Sequence, residues 1–127
     1  MGKEEGYPIV YYSLDTKRYC QTLELIDDPQ MIEEYKRWHD SSNFWKEIAE
    51  GIRSVGILDM EIYLFGTRLF MIVETPKEFE WDSAFSLLAT LKRQSEWEQF
   101  VEKYQKTIPG AASNEKWQLM DRIFKLP

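Results

Sequence analysis

Apolar and polar positions alternate over residues 17–27, with Tyr19, Gln21, Leu23 and Leu25 on one side and Cys20, Thr22, Glu24 and Ile26 on the other. A period of two marks a strand. Asp28-Pro29 then offers a helix N-cap followed by proline at the first helical position. From there the period lengthens. Met31, Tyr35 and Trp38 form an apolar stripe, Ile32, Tyr35 and His39 run beside it, and Glu33, Glu34, Lys36 and Arg37 take much of the solvent side. Asp40-Ser41-Ser42-Asn43 interrupts that pattern, residues 44–53 resume it through Trp45, Ile48, Ala49 and Ile52, and Gly56 closes it.

Two strands follow at 59–65 and 68–74, and Phe65-Gly66-Thr67 joins them closely enough to make a hairpin. Trp81, Phe85, Leu88 and Leu91 mark another helix. Ser95-Glu96-Trp97-Glu98 reads as a capping box, with Trp97, Phe100, Val101 and Tyr104 as the apolar face of the helix behind it. Ile108-Pro109-Gly110 opens a polar loop, and a last strand is expected over 117–126. Residues 1–16, with Tyr7-Pro8-Ile9-Val10-Tyr11-Tyr12, read as an N-terminal arm that packs on the domain or on a second subunit, and 17–127 as one domain.

The order β-α-β-β-α-β is that of an α+β, ferredoxin-like split βαβ fold, an antiparallel sheet with helices on one face. The other face needs a cover, and a homodimer through it is the default expectation.

Composition narrows the function. Sixteen basic against twenty-two acidic residues give a net charge of −6 with no basic run, which excludes a nucleic-acid backbone as the expected partner. Nothing is apolar enough for a membrane span and residues 1–6 lack a signal-peptide core, so a cytoplasmic protein is expected. The lone cysteine, Cys20, and lone histidine, His39, cannot build a closed structural zinc site, and Cys20 is expected to be a small buried hydrophobe. No metal or cofactor is called for.

Tyr35 and His39 carry the clearest chemistry. Their i, i+4 spacing puts a phenol and an imidazole on one helix face, and His39 is the only side chain with an ordinary pKa (about 6.5) near neutrality.

These residues carry a resemblance. Glu34-Tyr35-Lys36-Arg37-Trp38-His39, Ile62-Tyr63-Leu64 followed by Leu69-Phe70, Trp81, Trp97 and the ending Ile123-Phe124-Lys125-Leu126-Pro127 resemble the L-rhamnose mutarotase family over about residues 17–127. That family consists of small dimeric α/β-barrel proteins that interconvert the α and β anomers of a 6-deoxy sugar. The resemblance implies that His39 is the proton donor, that Tyr35 contacts the sugar one turn earlier, and that Trp97 is one of two adjacent sugar-contacting tryptophans. The chain departs from the pattern at Glu96, where the first tryptophan of that pair is expected, and at Met60, where a sugar-contacting tyrosine is expected. Trp45-Lys46-Glu47 also lies farther beyond His39 than the family's Trp-Pro-Glu does. Tyr63, of opposite strand parity to Met60, is expected to pack rather than to contact the sugar.

Mutarotation suits this set, because it needs a proton taken from the anomeric hydroxyl and one given to the ring oxygen, with no cofactor. The candidate site is therefore His39 for acid–base work, with Tyr35, Met60, Glu96 and Trp97 holding a monosaccharide. Glu96 is expected to accept from sugar hydroxyls or to share the proton transfer. The substrate expected is L-rhamnose or L-fucose. The alternatives are a haem- or aromatic-binding dimeric α/β-barrel protein, with His39 as axial ligand, and a non-catalytic sugar-binding module.

Overall fold

A computed structural model describes residues 2–107 and 113–127, so the loop expected at Ile108-Pro109-Gly110 lies outside the described residues. Strand β1 (Thr16–Glu24) leads into helix α1 (Pro29–Trp38) and helix α2 (Lys46–Ser54). The hairpin of β2 (Asp59–Phe65) and β3 (Arg68–Pro76) follows, then α3 (Trp81–Leu88), α4 (Gln94–Glu102), a short α5 (Ser113–Lys116) and β4 (Gln118–Leu119). The sheet order is β2-β3-β1-β4 with every neighbour antiparallel, so β3 sits between β2 and β1 as a split βαβ requires. No described helix is long and apolar enough to cross a membrane.

Local chemistry fixes most boundaries. The Asp28 carboxylate accepts from the backbone N–H groups of Gln30 and Met31, capping α1 ahead of Pro29. Gly66 supplies the positive φ of 63° that the tight β2–β3 turn demands.

Register decides which side chains meet the helices. Gln21 pairs with Met71, Leu23 with Leu69, Met60 with Val73 and Ile62 with Met71, and these residues point to the covered face. Leu23, Leu69, Met71 and Val73 join Tyr35, Ile48, Phe85, Leu88, Trp97 and Val101 in one core. The opposite parity, Cys20, Thr22, Phe70, Ile72 and Tyr63 among them, faces the other way.

Three expectations need correction. Cys20 is half-buried on the uncovered face, paired with Ile72, rather than sunk in the core. Ser95 does not cap α4. That helix begins at Gln94 behind Arg93, whose φ of 65° is left-handed, and no side chain caps it. The Arg93 guanidinium holds this turn by stacking over Trp45 at 4.2 Å and pairing with Glu47 at 3.4 Å. The last strand shrinks from the expected 117–126 to Gln118–Leu119, with one further backbone bond from Met120 N–H to the Cys20 carbonyl. Beyond it Ile123, Phe124 and Leu126 are exposed.

The arm lies back on its own chain at three points. The ring of Tyr7 meets Tyr63 edge-on at 5.6 Å, the Tyr12 hydroxyl donates to the Leu58 carbonyl, and Lys77 N–H donates to the Asp15 carbonyl. Ile9, Val10 and Tyr11 between them stay exposed.

Candidate active site

Helix α1 ends at Trp38, so His39 is its C-terminal cap and its ring can fold back over the last turn. It does so. His39 Nδ1 lies 2.7 Å from the backbone carbonyl oxygen of Tyr35. A carbonyl only accepts, so the short contact requires the proton on Nδ1 and leaves Nε2 as the lone-pair nitrogen of the neutral ring. The Tyr35 ring lies 4.2 Å from the imidazole at 33°, Trp97 approaches it at 5.4 Å and Phe44 at 5.8 Å. One backbone bond and three rings thus fix the orientation of His39.

Burial pushes the His39 pKa below its ordinary value of 6.5, and the bond to the Tyr35 carbonyl opposes that shift only in part. The imidazole is therefore mainly neutral at pH 7, with Nε2 free to take a proton. Tyr35 is 3% exposed. Burial raises its phenol to about 12, against a small opposing pull from the Gln105 amide, which lies 3.5 Å from the hydroxyl. Such a phenol stays protonated at neutral pH, so it can orient a partner or donate a hydrogen bond but not serve as a base.

His39 stands where two cavities meet. An outer cleft of about 300 Å³ is lined by His39, Phe44, Ile52, Arg53, Asp59, Met60 and Ile62, among others. An inner pocket of about 70 Å³ shares His39, Phe44, Ile52, Met60 and Ile62 and adds Gln21, Tyr35, Gln94, Trp97 and Trp117. The outer volume is at the small end of ligand pockets, which run from about 300 to 1,000 Å³, and suits a monosaccharide. The walls combine aromatic faces for C–H edges with a few polar groups for hydroxyls.

The structure brings together four of the five residues singled out from sequence: His39, Tyr35, Met60 and Trp97. Met60 reaches the cavity because its parity on β2 faces the helices, whereas Tyr63 lies on the other side of the sheet. Glu96 does not join them. Its side chain is 61% exposed and turns to Arg93 at 3.5 Å, away from the lining. Trp97, one residue on, is 7% exposed and packs against Phe44 and Trp45 as well as His39.

Sequence reasoning missed Gln21, Phe44, Arg53, Asp59, Gln94 and Trp117. Gln21 left a visible signal, a polar residue on the apolar side of β1, where it is now 2% exposed in the pocket wall. Gln94 left none, since its place depends on the turn at Arg93. Among the described residues no cluster of three His, Cys, Asp or Glu side chains could hold a metal ion.

Comparison with known proteins bears on this geometry. A family model described as L-rhamnose mutarotase matches residues 18–126. A UPF0734 protein of Dictyostelium discoideum is 38% identical over 118 residues, spanning 90% of this chain and 93% of that protein. An L-fucose mutarotase of Xanthomonas campestris pv. campestris is 34% identical over 113 residues, 89% of this chain and 90% of its own. The crystal structure of an L-rhamnose mutarotase from Formosa agariphila superposes with a TM-score of 0.63 at 16% identity, over 87% of this chain and 99% of that one. At that identity the structural match speaks to the fold.

Proposed function

The chain belongs to the L-rhamnose mutarotase family of sugar isomerases, and we propose that it interconverts the α and β anomers of a 6-deoxyhexose, with His39 as its acid–base group. One observation carries the reading: His39 Nδ1 is tied to the Tyr35 carbonyl, which leaves Nε2 as the basic nitrogen of a neutral ring that lines the cavity. Nε2 takes the proton of the anomeric hydroxyl, the electron pair forms the C1 carbonyl, and the bond from C1 to the ring oxygen breaks. The ring oxygen receives the proton from the imidazolium. Rotation about C1–C2 and the reverse steps then close the ring on the other face. Acid–base assistance of this kind is worth about 10²–10⁴-fold.

The remaining lining supports the sugar. Tyr35, protonated, stacks on the imidazole and orients it. Trp97 offers an aromatic face to the C–H edge of the sugar, and Met60 an apolar wall where its C6 methyl can rest. Glu96 has no part in this reading. L-fucose is the first sugar to test, because the mutarotase 34% identical to this chain bears its name, and L-rhamnose is the second.

The reading includes a second copy of the chain on the open sheet face. Phe65 is 82% exposed and Ile123 95% exposed, with Phe70, Phe124 and Leu126 also open to solvent. That is a large apolar surface for one chain to leave bare.

Saturation-transfer NMR of L-fucose, L-rhamnose and other hexoses tests the reaction and the sugar together. Faster anomer exchange than buffer for a 6-deoxyhexose is expected. Binding without faster exchange would make the protein a sugar-binding module, and no acceleration for any sugar would overturn the proposal.

A further inference from the structure

We propose that Gln94 is a sugar-binding residue of this site, its side-chain oxygen accepting a hydrogen bond from one hydroxyl of the bound sugar. The inference rests on the mutarotase reading and adds to it a group that neither the family resemblance nor the sequence pattern supplied.

Three features of Gln94 converge. It is 3% exposed in the wall of the inner pocket, beside Tyr35, His39 and Trp97. Its Nε2 lies 3.0 Å from a carboxylate oxygen of Glu98. A carboxylate accepts and does not donate, so chemistry fixes which end of the amide faces Glu98: the nitrogen donates there, and Oε1 is turned away. That Oε1 is buried and has no hydrogen-bond partner among the described residues. An orphaned buried acceptor is costly to leave unpaired, and the pocket beside it is where a donor can arrive. A sugar hydroxyl is such a donor.

The amide is held from behind. Lys116, buried next to pocket-lining Trp117, donates from Nζ to the Glu98 backbone carbonyl at 2.8 Å, and its charge is felt by the Glu98 and Glu102 carboxylates. The arrangement selects a hydroxyl over a C–H at one position of the sugar, because a C–H would leave Oε1 unpaired.

The test measures anomer exchange for wild type and Gln94→Met with the best sugar and with analogues of it lacking one hydroxyl at a time. Methionine keeps length and volume and removes both the acceptor and the amide donor to Glu98. In wild type, one deoxy analogue should show a KM about tenfold higher than the parent. Gln94→Met should raise KM for the parent sugar by a similar factor, leave kcat within about twofold, and erase the penalty of that one analogue. Its fold should persist by circular dichroism, since the unpaired buried oxygen and the bond to Glu98 are lost together. A wild type that penalises no analogue, or a folded Gln94→Met with unchanged KM, overturns the proposal and leaves Gln94 a packing residue. The wild-type panel decides the matter even if the variant fails to fold. A wild type that accelerates no sugar refutes the mutarotase reading instead, so the two failures are distinguishable.

Discussion

The two faces of the sheet are built from the same strands and meet opposite fates. On the helical face, Leu23, Leu69, Met71 and Val73 are closed over by α1, α2, α3 and α4, and Gln21, Gln94 and the His39 imidazole border the cavity there. On the other face, Phe70, Ile72 and Cys20 are met only in part by the arm, at Tyr7 on Tyr63, and the apolar tail beyond β4 has no cover. A face finished by its own chain can hold an imidazole at fixed orientation and shift its pKa by burial. A face left unfinished is suited to a partner.

The sharpest way to break this contrast is to remove the imidazole. His39→Ala should lower the rate of anomer exchange by about 10²–10⁴-fold while the fold persists, because His39 caps α1 from its edge and is not among the buried core residues. Exchange NMR and circular dichroism check the two halves. Next in size, Trp97→Ala empties the centre of the aromatic cluster and should cost about 3–5 kcal/mol of stability in denaturant unfolding. The same class of change on the open face should behave differently. Phe70→Asp, on a side chain already 37% exposed, should cost a single chain little and should convert a dimer to a monomer in sedimentation. A monomeric wild type would refute the second-copy part of the reading and leave the cavity chemistry standing.

The smallest effect is one of pH on stability. Burial lowers the His39 pKa in the folded state relative to about 6.5 in the unfolded chain. The folded state thus binds the proton more weakly, so this contribution to stability is full above about pH 6.5 and is lost as pH falls through the folded value. In His39→Ala that part of the acid sensitivity should vanish from urea midpoints.

Much of this was legible in the sequence because local rules govern it. Period-two alternation placed β1, a capping aspartate before proline placed α1, and a Gly-Thr turn placed the β2–β3 hairpin. His39 and Trp97 were reachable by resemblance, and strand parity put Met60 on the cavity side and Tyr63 on the other. Most of the errors trace to contacts distant in sequence. Ser95 fits a cap, but Arg93, stacked on Trp45 some fifty residues earlier, starts the helix sooner. That same arginine draws Glu96 outward. Residues 120–126 carry strand-like residues yet find no neighbouring strand within the described chain beyond Cys20. Gln94 was invisible because nothing local says that a polar residue at a helix start points inward.

The central claim is that the neutral imidazole of His39 moves the proton, and its status as the only histidine makes it directly testable. Nitrogen NMR follows that single ring through a pH titration while kcat/KM for anomer exchange is measured on the same samples. We predict an Nδ1-protonated ring at neutral pH, a midpoint below about 6.5, and an acid limb of kcat/KM that falls with the same midpoint. Undiminished kcat/KM at a pH where the ring is fully protonated would contradict the account.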